Sequence, residues 1–291
     1  MGGYAYVAPS SVDEAVAVLS EHAGQGKRAQ VLAGGTDLLV QMQSVDKAPR
    51  TIVDIKQLAE TNRLDIGASE TFIGAAIASA VLNENADLKA MFPGLIESAD
   101  LIGSTQIQGR ASIGGNLCNA SPAGDTIPAL IVNSGVCVIA GSGGTRELAV
   151  EDFVTGVGTN ALADGEILVG LKFPNHGPRT ADAYLRFIPR TEMDIAVAGA
   201  GVCLALDDDG TCSAARVAIG AVAPTALLVP AAAEALIGTK VDDSALAAAA
   251  AACSEASSPI TDKRGTVDYR RKVVGVLCKR AAAIARDRAS S

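Results

Sequence analysis

The sequence predicts an α+β protein of about two domains. Three observations carry that reading. The chain has 291 residues, enough for two cores at roughly 150 residues per domain. From Tyr4 to Ile55 strand and helix signals alternate. After Asn175-His176-Gly177-Pro178 the pattern changes to successive strands followed by helices, as in an antiparallel sheet with helices docked on it.

Tyr4 to Val7 reads as a short strand. Ser10 or Ser11 caps a helix with Asp13 and Glu14 in its first turn and Val12, Ala15, Val16 and Leu19 on one face. Gln30 to Leu32 is a second strand that runs into Ala33-Gly34-Gly35-Thr36-Asp37 and an apolar turn. Thr51 to Ile55 is a third strand. Leu64 to Ile66 and Thr71 to Gly74 read as strands around a glycine turn. Ala78 to Asn83 and Phe92 to Asp100 read as helices. Ser112 to Asp125 is glycine-rich, polar and too long for a simple turn, so it reads as a loop. Thr126 to Val132 reads as a helix begun by Asp125. Val136 to Ala140 and Ile167 to Phe173 read as strands. Beyond the linker, Ala183 to Ile188, Val197 to Leu206 and Ala214 to Ile219 read as strands, with Asp207 to Gly210 a hairpin turn. Ala231 to Leu236, Ser244 to Cys253 and Asp268 to Arg286 read as helices. The last has Tyr269, Val273, Val274 and Leu277 inside and Arg270, Lys272, Lys279 and Arg280 outside.

Hydrophobic residues make up 49% of the chain and charged residues 19%, which supplies a core and excludes wholesale disorder. The net charge of −8, with no Lys/Arg block, excludes a general nucleic-acid binder. A phosphate bound here would therefore be held by backbone N–H groups. Six scattered cysteines and two isolated histidines assemble no zinc or iron–sulfur pattern, so no metal site is expected. Reduced, buried thiols in a cytoplasmic protein are expected. The opening MGGYAYVAPSS has no signal-peptide pattern, and the longest uncharged stretch, Thr126 to Thr145, is broken by Pro128, Asn133, Ser134 and four glycines.

Two segments stand out: Ala33 to Asp37 and Ser112 to Asp125. Paired glycines free the backbone for unusual φ angles and admit a ligand where a Cβ would stand. Successive amides in such turns converge into an anion nest. Thr36, Ser112, Asn116 and Ser121 add donors, and Asp125 can accept from ribose hydroxyls. Neither segment is a Walker loop or a G-x-G-x-x-G fingerprint. The spacing by itself points to a phosphate-containing ligand or to ordinary surface turns.

AGGTDLL at Ala33 to Leu39 and SIGGNLCNASPAGD at Ser112 to Asp125 resemble the two flavin loops of the FAD-binding medium subunit of molybdenum hydroxylases, the xanthine and carbon monoxide dehydrogenase family. The opening Tyr6, Pro9, Ser11, Glu14, Ala15 pattern is similar to the family's start. So are Gly165 to Leu168, Arg190 to Ala196 and the Tyr269-Arg270 helix. The resemblance implies an FAD-binding domain of the vanillyl-alcohol-oxidase-like type over residues 1–177, in subdomains of about 1–57 and 58–177. An α+β domain follows over 178–291. It implies that Ala33, Gly34, Gly35, Thr36 and Asp37 form the first pyrophosphate loop and that Ser112, Gly115, Asn116 and Asp125 serve the second. Leu168 lies near the flavin ring, and Arg186 matches a cofactor-contacting lysine of the xanthine branch. Ile107-Gln108-Gly109 departs from the family's Ile-Arg-Asn, with Arg110 beside it. Thr36-Asp37 replaces the His-Ser of the carbon monoxide branch, which favours an organic substrate for the whole complex.

The resemblance further implies an electron-transfer flavoprotein. Substrate would be oxidised at a molybdopterin cofactor on a large subunit, and electrons would reach FAD through a small subunit with two [2Fe-2S] clusters, in a dimer of heterotrimers that reduces an external acceptor. No catalytic acid or base is assigned to this chain. The alternative is a self-contained FAD-dependent oxidase or dehydrogenase, for which the sequence offers no evident base. Lys172 and Arg186 are weighed either as stabilisers of negative charge on the ring or as solvated strand cations. His22, at a helix end, and His176, in the linker, read as surface residues, and Cys118 as a packing thiol. The substrate and the acceptor are not encoded in these motifs.

Overall fold

The computed structural model describes residues 3–291; positions 1 and 2, where the leaderless start and the first domain were expected to begin, lie outside the described residues. Strand β1 (Ala5–Val7), helix α1 (Val12–Gly24), β2 (Ala29–Leu32), α2 (Leu38–Ser44) and β3 (Thr51–Asp54) form the opening unit. Its strands are parallel in the order β1-β3-β2. Ser11 caps α1 by accepting from Glu14 N, and Val12, Ala15, Val16 and Leu19 are buried, as the sequence pattern requires. His22 departs from its expected surface role. Its Nδ1 donates to Val18 O at 2.8 Å, which leaves Nε2 to accept from Thr51 Oγ1 at 2.9 Å and ties α1 to β3.

The middle of the chain contributes β4 (Leu64–Ile66) and β5 (Glu70–Gly74), then a run of short helices: α3 (Ser79–Glu84), α4 (Ala86–Met91), α5 (Pro93–Asp100), α6 (Thr105–Gln108), α7 (Ile113–Asn119) and α8 (Thr126–Val132). Strands β6 (Val136–Gly141) and β7 (Gly144–Ala149), helix α9 (Val150–Phe153), the small hairpin β8 (Val154–Gly156) and β9 (Thr159–Asn160), and the long β10 (Ile167–Pro174) follow. An antiparallel sheet runs β4-β5-β10-β6-β7. The near-continuous apolar run of β10 is explained by its central position, buried on both faces by two separate cores. Helix α7 corrects the reading of Ser112 to Asp125 as a loop throughout. Ser112 caps it by accepting from Gly115 N, and the two glycines are tolerated because Ile113 and Leu117 anchor its apolar face.

The C-terminal sheet is antiparallel in the order β11 (Thr180–Phe187), β12 (Ala198–Leu206), β13 (Cys212–Gly220) and β14 (Leu227–Leu228). Helices α10 (Pro230–Glu234), α11 (Asp243–Ala256) and α12 (Val267–Ser290) complete it. Val202, Leu204, Val217 and Ile219 from the strands and Val274, Leu277 and Ala281 from α12 share one core. The phase of α12 differs from the sequence reading. Arg270 is buried and donates to the carbonyls of Val197 and Ala221 and to Asp262, while Tyr269 is exposed. A guanidinium is accepted inside because three acceptors meet it.

Asp182 joins the C-terminal sheet to the middle of the chain. Fully buried on β11, it accepts from Gly94 N and Leu95 N at the start of α5, each at 2.9 Å, and from Asn133 Nδ2 at 2.7 Å. Burial nonetheless pushes its carboxyl up to about 6. Arg288 near the end of α12 donates to Asp182 O and pairs with Glu97 of α5. Because Asn133 Nδ2 also donates to Ala129 O, its Oδ1 accepts from His176 Nε2 at 2.7 Å. The His176 ring stands edge-on to Phe92, with centroids 4.8 Å apart. His176 is thus a packed seam residue, which corrects its reading as a surface linker histidine.

With no anion beside it, His176 is held neutral by burial, its pKa pushed down to about 4. The unfolded chain protonates this ring near its ordinary value of about 6.5. Stability from the site is therefore fully present above about 6.5 and is lost as pH falls toward the folded value. In urea denaturation the stability gap between wild type and His176→Gln should narrow steadily from about pH 7 to about pH 4. A gap independent of pH would contradict this placement. Gly94→Ala should cost about 2–4 kcal/mol in the same assay, because the added Cβ would lie 2.7 Å from the Ala183 main chain.

Candidate functional site

A cavity of about 500 Å³ opens between the parallel unit and the middle sheet, a volume ordinary for a ligand cleft. One wall is the turn Ala33 to Asp37 between β2 and α2. The facing wall is Ala111 to Asn119, including the first half of α7, and Ile167 and Leu168 of β10 close a third side. Of the residues singled out from sequence, Ala33, Gly34, Gly35, Thr36, Asp37, Ser112, Gly115, Asn116 and Leu168 all line this one cavity. Asp125 and Arg186 do not. They face each other as a buried ion pair, Arg186 Nη1 to Asp125 Oδ2 at 2.5 Å, and Tyr184 Oη donates to Asp125 Oδ1 at 3.0 Å.

Backbone approach sets the shape of the cavity. A Cβ on Gly34 would collide with the carbonyl of Arg110, so the first turn rests directly on the chain leading into α7. Gly35 has φ +79°, in the left-handed region that favours glycine. This turn leaves the N–H groups of Gly34, Gly35 and Thr36 without acceptors among the described residues. A cluster of unpaired donors of this kind is suited to an anion. On the facing wall Asn116 Oδ1 accepts from Thr126 N at 3.4 Å and from Thr126 Oγ1 at 2.7 Å. Since an N–H can only donate, the bonded atom is the oxygen, and the Asn116 NH₂ group is left for the cavity. Ser112 borders the cavity, but its Oγ accepts from Gly115 N as the cap of α7.

Charge follows the same logic. Among the described residues no Lys, Arg, His or Tyr lines the cavity, whereas Asp37, Asp164 and Glu166 do. Burial raises the Asp37 carboxyl above its ordinary value. Glu166 is held below that range, chiefly by its hydrogen bonds with Arg146. Lys172 is an exposed strand cation, 2.5 Å from Glu147, outside the cavity. Asp125 is raised by burial, against the pull of Arg186 and Tyr184.

Sequence reasoning missed the lacing of the mouth. Gln41 of α2 donates to Asn119 Oδ1 at 3.1 Å, joining the two walls directly. Asn160 of β9 donates to Cys118 O at 2.9 Å, and Gly158 N donates to Ala120 O at 2.9 Å, so the β8–β9 hairpin is fastened to the end of α7. All of these residues but Ala120 line the cavity. Cys118, Asn119 and Ala120 fell inside the second motif; their partners Gln41, Asn160 and Gly158 lie far from it in sequence and carry no local signal. The Cys118 thiol is pushed up to about 12 by burial and stays protonated, as a packing group does.

Two family descriptions match the chain: the FAD binding domain in molybdopterin dehydrogenase over residues 2–176, and the CO dehydrogenase flavoprotein C-terminal domain over residues 183–285. The carbon monoxide dehydrogenase medium chain of Afipia carboxidovorans is 32% identical, covering 100% of this chain and 99% of that one. The carbon monoxide dehydrogenase medium chain of Hydrogenophaga pseudoflava is 33% identical over 96% of this chain and 95% of that one. A chain of the reconstituted CO dehydrogenase from Oligotropha carboxidovorans superposes with a TM-score of 0.93 at 30% identity, over 99% of each chain.

The glycines of the two walls are separable by experiment. Gly34→Val and Gly114→Val should each cost several kcal/mol, of the order of an overpacked core, because each Cβ meets main chain, that of Arg110 or Ala75. Gly115→Val should keep the fold, since its Cβ meets only Ser112 Oγ, at 3.0 Å. Urea denaturation of the three variants distinguishes these outcomes.

Proposed function

Since the chain belongs to the family of FAD-binding medium subunits of molybdopterin dehydrogenases, we propose that it is the electron-transfer subunit of such an enzyme and holds FAD in the cavity between its two glycine segments. The observation that carries this is the first turn, whose Gly34, Gly35 and Thr36 line the cavity with N–H groups that find no acceptor, in a lining that holds no cation among the described residues. A pyrophosphate suits a donor set of main-chain N–H groups without a lysine, and the turn's two glycines let its backbone pack against Arg110, Leu32 and Leu39.

In this reading Ala33, Gly34, Gly35, Thr36 and Asp37 form the pyrophosphate turn, with main-chain N–H groups as donors. The Asn116 NH₂ donates from the opposite wall, Ser112 holds that wall in shape, and Gly115 leaves room for the ligand. Leu168 packs against the ring system and shields it from water. Asp125 and Arg186 sit behind the wall as a compensated pair and act on the cofactor through the wall. Bound FAD would supply the redox chemistry, with these residues holding it for electrons to pass from a partner's clusters to an external acceptor. The chain's own residues bind, orient and exclude water. The cavity lining offers neither His nor Tyr as a base for substrate oxidation, which favours electron transfer over a self-contained oxidase.

The partners in this reading are a large subunit with the molybdopterin cofactor and a small subunit with two [2Fe-2S] clusters, assembled as a dimer of heterotrimers. We divide the chain into an FAD-binding domain at 1–177, in subdomains of about 1–57 and 58–177, and a C-terminal domain at 178–291. We assign the protein to the cytoplasm; among the described residues no helix is long and apolar enough to cross a membrane.

Purified full-length chain should carry a flavin spectrum, and acid should release FAD. Release of FMN alone, or no flavin after reconstitution, would overturn the proposal. Gly115→Val should lose the flavin, while Gly210→Val, at the distal β12–β13 turn, should retain it. The separated chain should hold neither iron nor molybdenum in stoichiometric amount, and substrate oxidation should require the partner subunits.

A further inference from the structure

The buried polar chain behind the cavity begins on the C-terminal sheet. Tyr184 and Arg186 lie two residues apart on β11 and so project to one face. Tyr184 is almost fully buried, and its hydroxyl donates to Asp125 Oδ1 at 3.0 Å. Arg186 donates to the other oxygen, Oδ2, at 2.5 Å. Asp125 occupies the capping position of α8, yet its side chain makes no capping hydrogen bond. It is turned away from the helix and held by the sheet. The next residue, Thr126, is fully buried and binds Asn116 Oδ1 through both its N–H and its hydroxyl. Asn116 is the side-chain amide left for the cavity.

Room for the phenol is built into the neighbouring strand. Gly199 of β12 stands opposite Arg186 in the register, and a Cβ there would lie 2.5 Å from Tyr184 Oη. A phenylalanine would fill the apolar space equally well, and a buried hydroxyl is costly without a partner. Asp125 is the hydroxyl's partner. Hydroxyl, glycine and carboxylate therefore form one arrangement, whose output is the position of the first turn of α8.

We propose that Tyr184 is a positioning residue of the FAD site, fixing Asp125 so that Thr126 presents the Asn116 amide to the cofactor. The inference rests on the reading of the cavity as an FAD site. It makes the C-terminal sheet a part of the binding machinery of the preceding domain.

The test is a double-mutant cycle on FAD affinity, measured by quenching of flavin fluorescence on titration into deflavinated full-length chain. Tyr184→Phe should weaken binding about 5- to 10-fold, the effect of one lost hydrogen bond. Asn116→Ala should weaken it at least as much. In the double variant the loss should not exceed that of Asn116→Ala by more than about twofold, because Tyr184 acts through Asn116. Thr126→Val, one link nearer the cavity, should show the same non-additivity and serves if Tyr184→Phe does not fold. A purely structural Tyr184 would lower the melting temperature while its effect on affinity multiplied with that of Asn116→Ala. That result, or an affinity unchanged in Tyr184→Phe, would overturn the inference. A wild-type chain that takes no FAD would instead overturn the reading of the cavity, and the inference with it.

Discussion

The site depends on one contact between two backbones. The turn after β2 rests on the carbonyl of Arg110 with nothing but the hydrogen of Gly34 between them. Any side chain there would drive the parallel unit away from α7, and the cavity would lose one wall. The next residue, Gly35, turns the chain at φ +79°, with Leu32 and Leu39 packed where its side chain would stand. The parallel sheet, the entry to α7 and the start of β10 are thereby brought around one space. Each wall comes from a different element, and hydrogen bonds such as Gln41 to Asn119 close the mouth once the backbones have met.

That contact also explains how an acidic chain holds an anionic ligand. The net charge is −8, and the cavity lining contains acids and no cations. No lining cation among the described residues attracts a phosphate, and in the proposed reading binding rests on main-chain donors. Oriented main-chain N–H groups pay little reorganisation on binding.

Much of this was legible in the sequence, for physical reasons that differ from element to element. The first turn was visible because paired glycines directly after a strand mark a backbone that leaves regular structure, and α1 because its cap and apolar face are local. Helix α7 was hidden, since Gly114 and Gly115 suppress helix propensity and only the Ser112 cap argues for it. The phase of α12 was misjudged because a guanidinium normally stays in water; of the three acceptors that bring Arg270 inside, the carbonyls of Val197 and Ala221 come from distant segments. His176 was misread for the same reason, since Asn133 and Phe92 are remote in sequence. Asp125 and Arg186 were expected at the cofactor but pair with each other outside the cavity, because spacing carries no information about which way a buried carboxylate turns.

The direction in which Asp125 turns bears on how the two parts of the chain cooperate. A carboxylate beside the start of a helix ordinarily caps it and gains from the helix dipole. Here the cap bond is forgone and the carboxylate is given to Tyr184 and Arg186 on β11. Two residues before Tyr184 on the same strand, Asp182 makes the complementary choice, accepting the first amides of α5. One strand of the C-terminal sheet thus takes hold of two helix starts in the middle of the chain, once through a donor pair and once through an acceptor. The apolar cores on either side supply cohesion but little direction, because hydrophobic contact tolerates sliding. Hydrogen bonds to buried charge do not, since a misplaced carboxylate leaves its donors unpaired. The orientation of α8, and with it the wall that carries Asn116, is set by these directional bonds.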